Sequence, residues 1–175
     1  MSQDEAFELI RTESIYRNEN ISKWADLGCG AGLFSLALAR MLQKESIVYG
    51  IDKNNSLKPQ VTGNGIDIIP LSKDFVQDDL GLTELDGILM ANAFHYVKDK
   101  SAFIQNMEKY LKPAAIYVIV EYDTDIPVAR WVPYPVSFAT LLTLFNSAGY
   151  THVKKLGGRP SIYGRGNMYS AIISR

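Results

Sequence analysis

The sequence has a single cysteine, Cys29, among 175 residues. No intrachain disulfide can form, no second thiolate exists to share a metal, and no metal site is expected. So little cysteine suits a reducing compartment, and a cytoplasmic location is expected. An excess of charge of either sign is also missing: 18 basic residues face 19 acidic ones, for a net charge of −1. No broad positive field gathers phosphate backbones, so a nucleic-acid partner is disfavoured. Nowhere does an apolar run reach the roughly 18 residues of a membrane span. The opening Met1-Ser2-Gln3-Asp4-Glu5 lacks the positive start and apolar stretch of a secretory signal, and no membrane partner is expected. Internal repeats, low-complexity tracts and linkers are absent too, which leaves one domain over residues 1–175, with residues 1–20 as a helical extension.

What is present is a chain that is 47% hydrophobic and can bury a core. Short apolar runs at Trp24 to Leu27, Ile47 to Ile51, Ile66 to Leu71, Leu85 to Ala91 and Ala115 to Val120 read as strands. Helical patterns separate some of them: Leu33 to Leu42 is rich in Ala and Leu, and Lys100 to Tyr110 ends before Pro113. This alternation predicts an α/β fold, a parallel sheet with helices on both faces. A further helix is expected from Ser137 to Ala148, closed by Gly149. Two more strands, Tyr150 to Leu156 and Met168 to Ser174, are expected to form a hairpin around a turn-rich connection that starts at Gly157.

The most informative segment is Asp26-Leu27-Gly28-Cys29-Gly30-Ala31-Gly32, in which a strand ends, the chain turns through three glycines and a helix begins. Missing side chains let a ligand approach the backbone closely. A dinucleotide fingerprint needs a glycine at the sixth place from Gly28, and Leu33 stands there. Cys29 reads as a small side chain in a crowded turn. Asp52 ends the second strand, at a position suited to accept hydrogen bonds from ribose hydroxyls, and so marks an adenosine ligand.

An acid two residues before three alternating glycines resembles the first motif of the class I S-adenosylmethionine-dependent methyltransferases. The resemblance runs from about Ser22 to Leu156. It implies a three-layer Rossmann-like sandwich with a seven-stranded, mostly parallel sheet whose last strand is antiparallel. It implies S-adenosylmethionine as cofactor, leaving as S-adenosylhomocysteine, with the loop of Asp26, Gly28, Cys29, Gly30 and Gly32 around the methionine portion and Asp26 facing its ammonium. Asp52 and Lys53 would then stand at the ribose. Lys73-Asp74-Phe75 is similar to the family's adenine contact, with Asp74 near the exocyclic amine and Phe75 on the ring. Asn92 and Ala93, at the exit of the fourth strand, would face the reacting methyl. One departure concerns Leu111-Lys112-Pro113, which the family usually continues with two glycines and this chain with Ala114-Ala115; the turn there must avoid positive φ or strain Ala114.

Methyl transfer from a sulfonium is an in-line displacement that relies chiefly on positioning. A general base matters only when the acceptor must lose a proton, and His95 is the candidate, as base or as pocket lining. His152 reads as structural. Glu121 and Tyr122, with Asp123 and Asp125 beyond, leave the fifth expected strand at the same sheet edge and are candidates to bind an acceptor. Trp131 and Tyr134 offer apolar walls, and Arg159 and Arg165 would suit an acidic substrate. The expected function is methylation of a small-molecule acceptor by a monomer or homodimer. Two alternatives are an RNA, DNA or protein methyltransferase, and a non-catalytic partner protein that binds the same cofactor.

Overall fold

The computed structural model describes residues 1–16, 20–128, 131–160 and 167–175. Its strands are β1 (Lys23–Leu27), β2 (Ile47–Asp52), β3 (Gln60–Val61), β4 (Asp67–Ser72), β5 (Leu85–Ala91), β6 (Leu111–Tyr122), β7 (His152–Pro160) and β8 (Asn167–Ser174). They form one sheet in the order β3-β4-β2-β1-β5-β6-β8-β7. Strands β4, β2, β1, β5 and β6 are parallel, and β8 runs antiparallel to β6 and to β7. The antiparallel last strand and the α/β class are as expected.

The parallel strands are apolar on both sides because helices cover both sides. Along β6, Tyr117 and Ile119 join one buried cluster while Val118 and Val120 join the other. On one face lie α1 (Gln3–Ile10), α2 (Glu13–Tyr16) and α3 (Leu33–Ala39), which bury Ile10, Ile15, Phe34 and Leu38 against Trp24 and Val118. On the other lie α4 (Lys100–Met107) and α5 (Phe138–Ser147), with Phe103, Ile104, Leu141 and Phe145 against Ile88 and Tyr117. Each such side chain contributes about 1.5–3 kcal/mol on burial. Helix α1 starts on a reciprocal cap, in which Ser2 Oγ accepts from the Glu5 amide and the Glu5 carboxylate accepts from the Ser2 amide.

Three details differ from the expectation. Among the described residues the sheet has eight strands instead of seven, because Gln60 and Val61 pair antiparallel with β4 at the edge. Both are exposed, and a two-residue polar-apolar pair carries no periodicity to read. Gly157 and Gly158 belong to β7 rather than to a turn, with a register shift between Lys155 and Gly157. A Cβ on Gly158 would stand 2.8 Å from the Met168 carbonyl oxygen, so glycine there permits a close strand approach. The strand expected from Ala115 starts at Leu111 instead, and a register shift against β5 between Leu85 and Gly87 takes up Pro113 and Ala114. Ala114 is not among the residues with positive φ, so the two alanines are accommodated without a left-handed turn.

Because β1, β2, β5 and β6 are parallel, their carboxyl ends share one edge. Asp26, Asp52, Asn92 and Glu121 all stand at that edge, where open α/β sheets hold their ligands.

Candidate functional site

All three glycines of the turn after β1 are left-handed, with φ of +80° at Gly28, +53° at Gly30 and +85° at Gly32. Any other residue would be strained at each. Gly28 and Cys29 donate to the Ile51 carbonyl, which binds the turn to β2. A Cβ on Gly28 would fall 2.5 Å from the Ala93 Cβ and 3.5 Å from a ring carbon of Phe75. The turn, the exit of β5 and the loop after β4 therefore meet at Gly28. A Cβ on Gly32 would fall 2.4 Å from Leu57, whereas one on Gly30 meets nothing among the described residues within 4 Å. Gly30 is thus the open face of the turn. Cys29 is buried, and burial pushes its thiol up to about 12, away from the thiolate form that acts as a nucleophile.

Asp26 is 1% exposed. Its Oδ2 accepts a 2.6 Å hydrogen bond from Ser35 Oγ, while Oδ1, also sealed from water, has no partner among the described residues. Burial raises the carboxyl to about 7, with the Ser35 hydroxyl pulling the other way and the Asp52 charge adding to the rise. Asp52 closes the other side of the turn: Oδ2 accepts from the Gly30 amide at 3.0 Å and Oδ1 from the Asn54 amide at 3.0 Å.

Beyond β4, Asp74 accepts from Lys53 Nζ at 2.7 Å and from the Val76 amide at 2.9 Å. Burial tends to raise this carboxyl, but the Lys53 ammonium and the backbone donors outweigh it and hold it below the usual range. Phe75 is buried edge-on to Phe103 at 6.1 Å between ring centres. A groove of about 550 Å³ runs outward from Phe75 between residues 75–79 and α4.

The exit of β5 carries backbone strain. Asn92 has φ +54°, which is uncommon away from glycine, and its Oδ1 is buried without a partner among the described residues. His95 follows in a short 3-10 turn, Phe94–Tyr96, and is 2% exposed. Its Nδ1 lies 2.9 Å from Glu121 Oε2 and 3.1 Å from Oε1, and its backbone amide donates to Oε1 at 3.0 Å. Glu121 is fully buried and also accepts from the Tyr122 amide, so its carboxylate is committed to these groups. The His95 ring packs against Tyr96 with centres 4.3 Å apart and planes tilted by 53°, and stands 6.3 Å from the Tyr122 ring.

The candidate acceptor residues lie at varying distances from this point. The Tyr134 amide donates to the His95 carbonyl, and Lys100 Nζ donates to the Tyr134 and Val97 carbonyls, so that segment is bound over the β5 exit. Burial lowers the Lys100 ammonium to about 8, against the pull of Glu121. Trp131 is 75% exposed on the same segment. Asp123 and Asp125 instead hold the start of α5, accepting from the Phe138 amide and from the Ser137 amide and hydroxyl. Arg159 pairs with Glu5 of α1 at 3.3 Å, Arg165 lies outside the described residues, and His152 is exposed on β7.

Sequence reasoning missed three residues that shape the site. Ser35 could have been noticed as a hydroxyl on the apolar face of α3. Asn55 Nδ2 donates to the Gly50 and Leu71 carbonyls while its Oδ1 accepts from the Leu57 amide, and Lys100 latches the Tyr134 segment; neither has a local signature.

The model of a methyltransferase domain family matches residues 3–155 of the chain. No curated protein matches it. Among solved structures, 1,6-didemethyltoxoflavin-N1-methyltransferase from Burkholderia thailandensis, with 1,6-didemethyltoxoflavin and S-adenosylhomocysteine bound, is similar over 99% of this chain and 77% of its own, at 14% identity and a TM-score of 0.69. Magnesium protoporphyrin IX methyltransferase from Synechocystis PCC 6803, with S-adenosylmethionine bound, is similar over 97% of this chain and 78% of its own, at 17% identity and a TM-score of 0.68. A methyltransferase from Aquifex aeolicus covers both chains fully at 17% identity and a TM-score of 0.61. With the family model spanning most of its length and the glycine turn, Asp26 and Asp52 in place, this chain belongs to the methyltransferase-domain family and has the fold of the class I S-adenosylmethionine-dependent enzymes.

Proposed function

We propose that the chain uses S-adenosylmethionine to methylate a small-molecule acceptor in the cytoplasm. The observation that carries this reading is the glycine turn: three left-handed glycines, an open backbone face at Gly30, and, at the end of the strand that leads into it, the buried Asp26 Oδ1 with no partner among the described residues. A buried carboxylate oxygen without a donor is costly, and a cationic ligand would satisfy it. The ammonium of the cofactor's methionine portion has that chemistry.

On this reading Gly28, Cys29, Gly30 and Gly32 hold the methionine portion with Asp26. Asp52 and Lys53 stand at the ribose, and Asp74 and Phe75 border the adenine. Asn92 and Ala93, against Gly28, close the side toward the acceptor. When bound, the cofactor supplies an electrophilic methyl group on a sulfonium. The chain's own work is to fix the acceptor in line with that group and to exclude water, which well-placed side chains do at modest structural cost. Tyr122, Trp131 and Tyr134 border the acceptor side, with Arg159 further out.

A small acceptor is favoured over a polymer by the net charge of −1, with no excess of basic residues to track a phosphate backbone. Two structurally similar enzymes bear names that refer to a toxoflavin and a porphyrin, both small molecules. Calorimetry with S-adenosylmethionine tests the cofactor: binding in the micromolar range is expected, and none at high micromolar ligand overturns the reading. An acceptor screen read by product mass and by S-adenosylhomocysteine formation tests the enzyme; a chain that binds the cofactor and methylates no small molecule is a binding protein instead.

A further inference from the structure

The His95–Glu121 pair is more than a bolt between β5 and β6. An ionised carboxylate can only accept, so with Glu121 ionised the 2.9 Å contact calls for a proton on His95 Nδ1, and in the neutral ring that leaves the lone pair on Nε2. That Nε2 is buried and has no partner among the described residues, although a purely structural histidine would be expected to use both ring nitrogens. Asp26 Oδ1, Asn92 Oδ1 and His95 Nε2 are three of the five buried side-chain polar atoms without a partner among the described residues. They arise from the carboxyl ends of the adjacent strands β1 and β5, where Gly28 and Ala93 touch. Two of them stand within four residues on the β5 exit, the side facing the acceptor. Glu121 is itself fully buried, with no lysine or arginine ion-paired to it among the described residues, and His95 is the group it orients.

We propose that Glu121 is a positioning residue that holds His95 as a general base, and that the acceptor is a hydroxyl compound, an alcohol or phenol, which, unlike a neutral amine with its own free electron pair, must give up its proton as the methyl arrives. This rests on the methyltransferase reading above and names its substrate class. The acceptor oxygen gives its proton to His95 Nε2 and uses the freed electron pair to bond the methyl carbon. The carbon–sulfur bond breaks with its electrons left on sulfur, so the sulfonium departs as the neutral thioether of S-adenosylhomocysteine. The imidazolium, stabilised by Glu121, then returns its proton to water. A thiol, largely ionised in mild base, has little need of such a base.

The pair can be observed without turnover. The chain has two histidines, so imidazole nitrogen NMR of the full-length protein is readily assigned, with exposed His152 as internal reference. At neutral pH His95 should show the Nδ1–H tautomer with Nε2 bare, and Glu121→Gln should shift its tautomer balance. An Nε2–H tautomer in the wild type, or no response to Glu121→Gln, overturns the proposal. Turnover is tested with a panel of phenols and alcohols, each paired with its thiol analogue, and S-adenosylmethionine as donor. His95→Asn keeps an amide donor for Glu121 but has no basic nitrogen at the second position. It should cut hydroxyl methylation about 100-fold or more and lower the hydroxyl-to-thiol rate ratio at least tenfold. The ascending limb of the pH–kcat profile should vanish with it.

Equal losses on both members of a pair point to a structural role and overturn the base. So does transfer by the wild type to thiols or amines but to no hydroxyl. Failure of the wild type to bind S-adenosylmethionine in calorimetry defeats the methyltransferase reading itself, and it is separate from the NMR result, which needs no ligand.

Discussion

The Asp26 carboxylate takes a 2.6 Å hydrogen bond from Ser35 on one oxygen, and its other oxygen is buried with no partner among the described residues. Burial raises this acid from 3.8 to about 7. A folded-state value above the unfolded one means that the fold prefers the protonated acid. The associated stability is complete below about pH 4 and is lost as the pH climbs through 7. Each unit of pH in that window is worth about 1.4 kcal/mol. Asp26→Asn cannot ionise, so its stability relative to the wild type should rise by about 2–3 kcal/mol from pH 5 to pH 8. Urea unfolding of both proteins at the two pH values measures this, and a constant difference rules it out.

The same ionisation should govern cofactor uptake. A cationic ammonium binds the carboxylate and not the acid, so affinity for S-adenosylmethionine should climb as Asp26 ionises. One group with a midpoint near 7 is about one-tenth ionised at pH 6 and half ionised at pH 7, where an α-ammonium is still mostly protonated, which gives roughly a fivefold gain in affinity between them. Calorimetry at the two pH values should show that gain in the wild type and a flat response in Asp26→Asn, whose affinity stays at or below the wild-type value at pH 6.

What the sequence could convey depended on how far apart the interacting residues lie. The glycine turn was legible because only glycine holds φ near +80° at low cost, so Gly28, Gly30 and Gly32 announce their own backbone. Asp52 was legible because it ends an apolar strand. The strands of the sheet centre, such as Ile88 to Met90, were legible because burial on both faces demands an unbroken apolar run. Gln60 and Val61 were not, being a short exposed edge pair that borrows its strand character from β4. Nor was the fate of Arg159, whose charge partner Glu5 sits near the other end of the chain. The commitment of Glu121 to His95 belongs to the same class: each residue stood out locally, but the contact between them is created by the parallel pairing of β5 and β6.

Asn55 is a residue of this hidden kind, and its loss should be felt. Its side chain ties the loop after β2 to Gly50 and Leu71 and holds the Leu57 amide. Leu57 in turn fills the space that Gly32 and Gly50 leave by lacking a Cβ. Asn55→Ala removes three hydrogen bonds to the backbone at a part-buried position, with an expected cost of about 2–3 kcal/mol. Denaturant unfolding gives the number directly; a loss under about 0.5 kcal/mol would mean that water replaces all three bonds.

Gly28 and Gly30 share a left-handed backbone but differ in what surrounds them, so their alanine variants should fail in different ways. At both, alanine pays a conformational cost of about 1–2 kcal/mol for positive φ. At Gly28 the new Cβ also meets the Ala93 Cβ at 2.5 Å, which forces the turn away from β5 and should bring the total to about 3–4 kcal/mol. Adding Ala93→Gly removes the clash but not the strain, so the double variant should recover to about the cost of Gly30→Ala. Gly30→Ala has open space around it, and its stability loss should stay within 1–2 kcal/mol. Its affinity for S-adenosylmethionine should nevertheless drop at least tenfold if, as proposed, the ligand meets the backbone on the face where the added methyl stands. Unfolding and calorimetry on the three variants separate the two effects. Full cofactor affinity in Gly30→Ala would place the ligand on some other face of the turn.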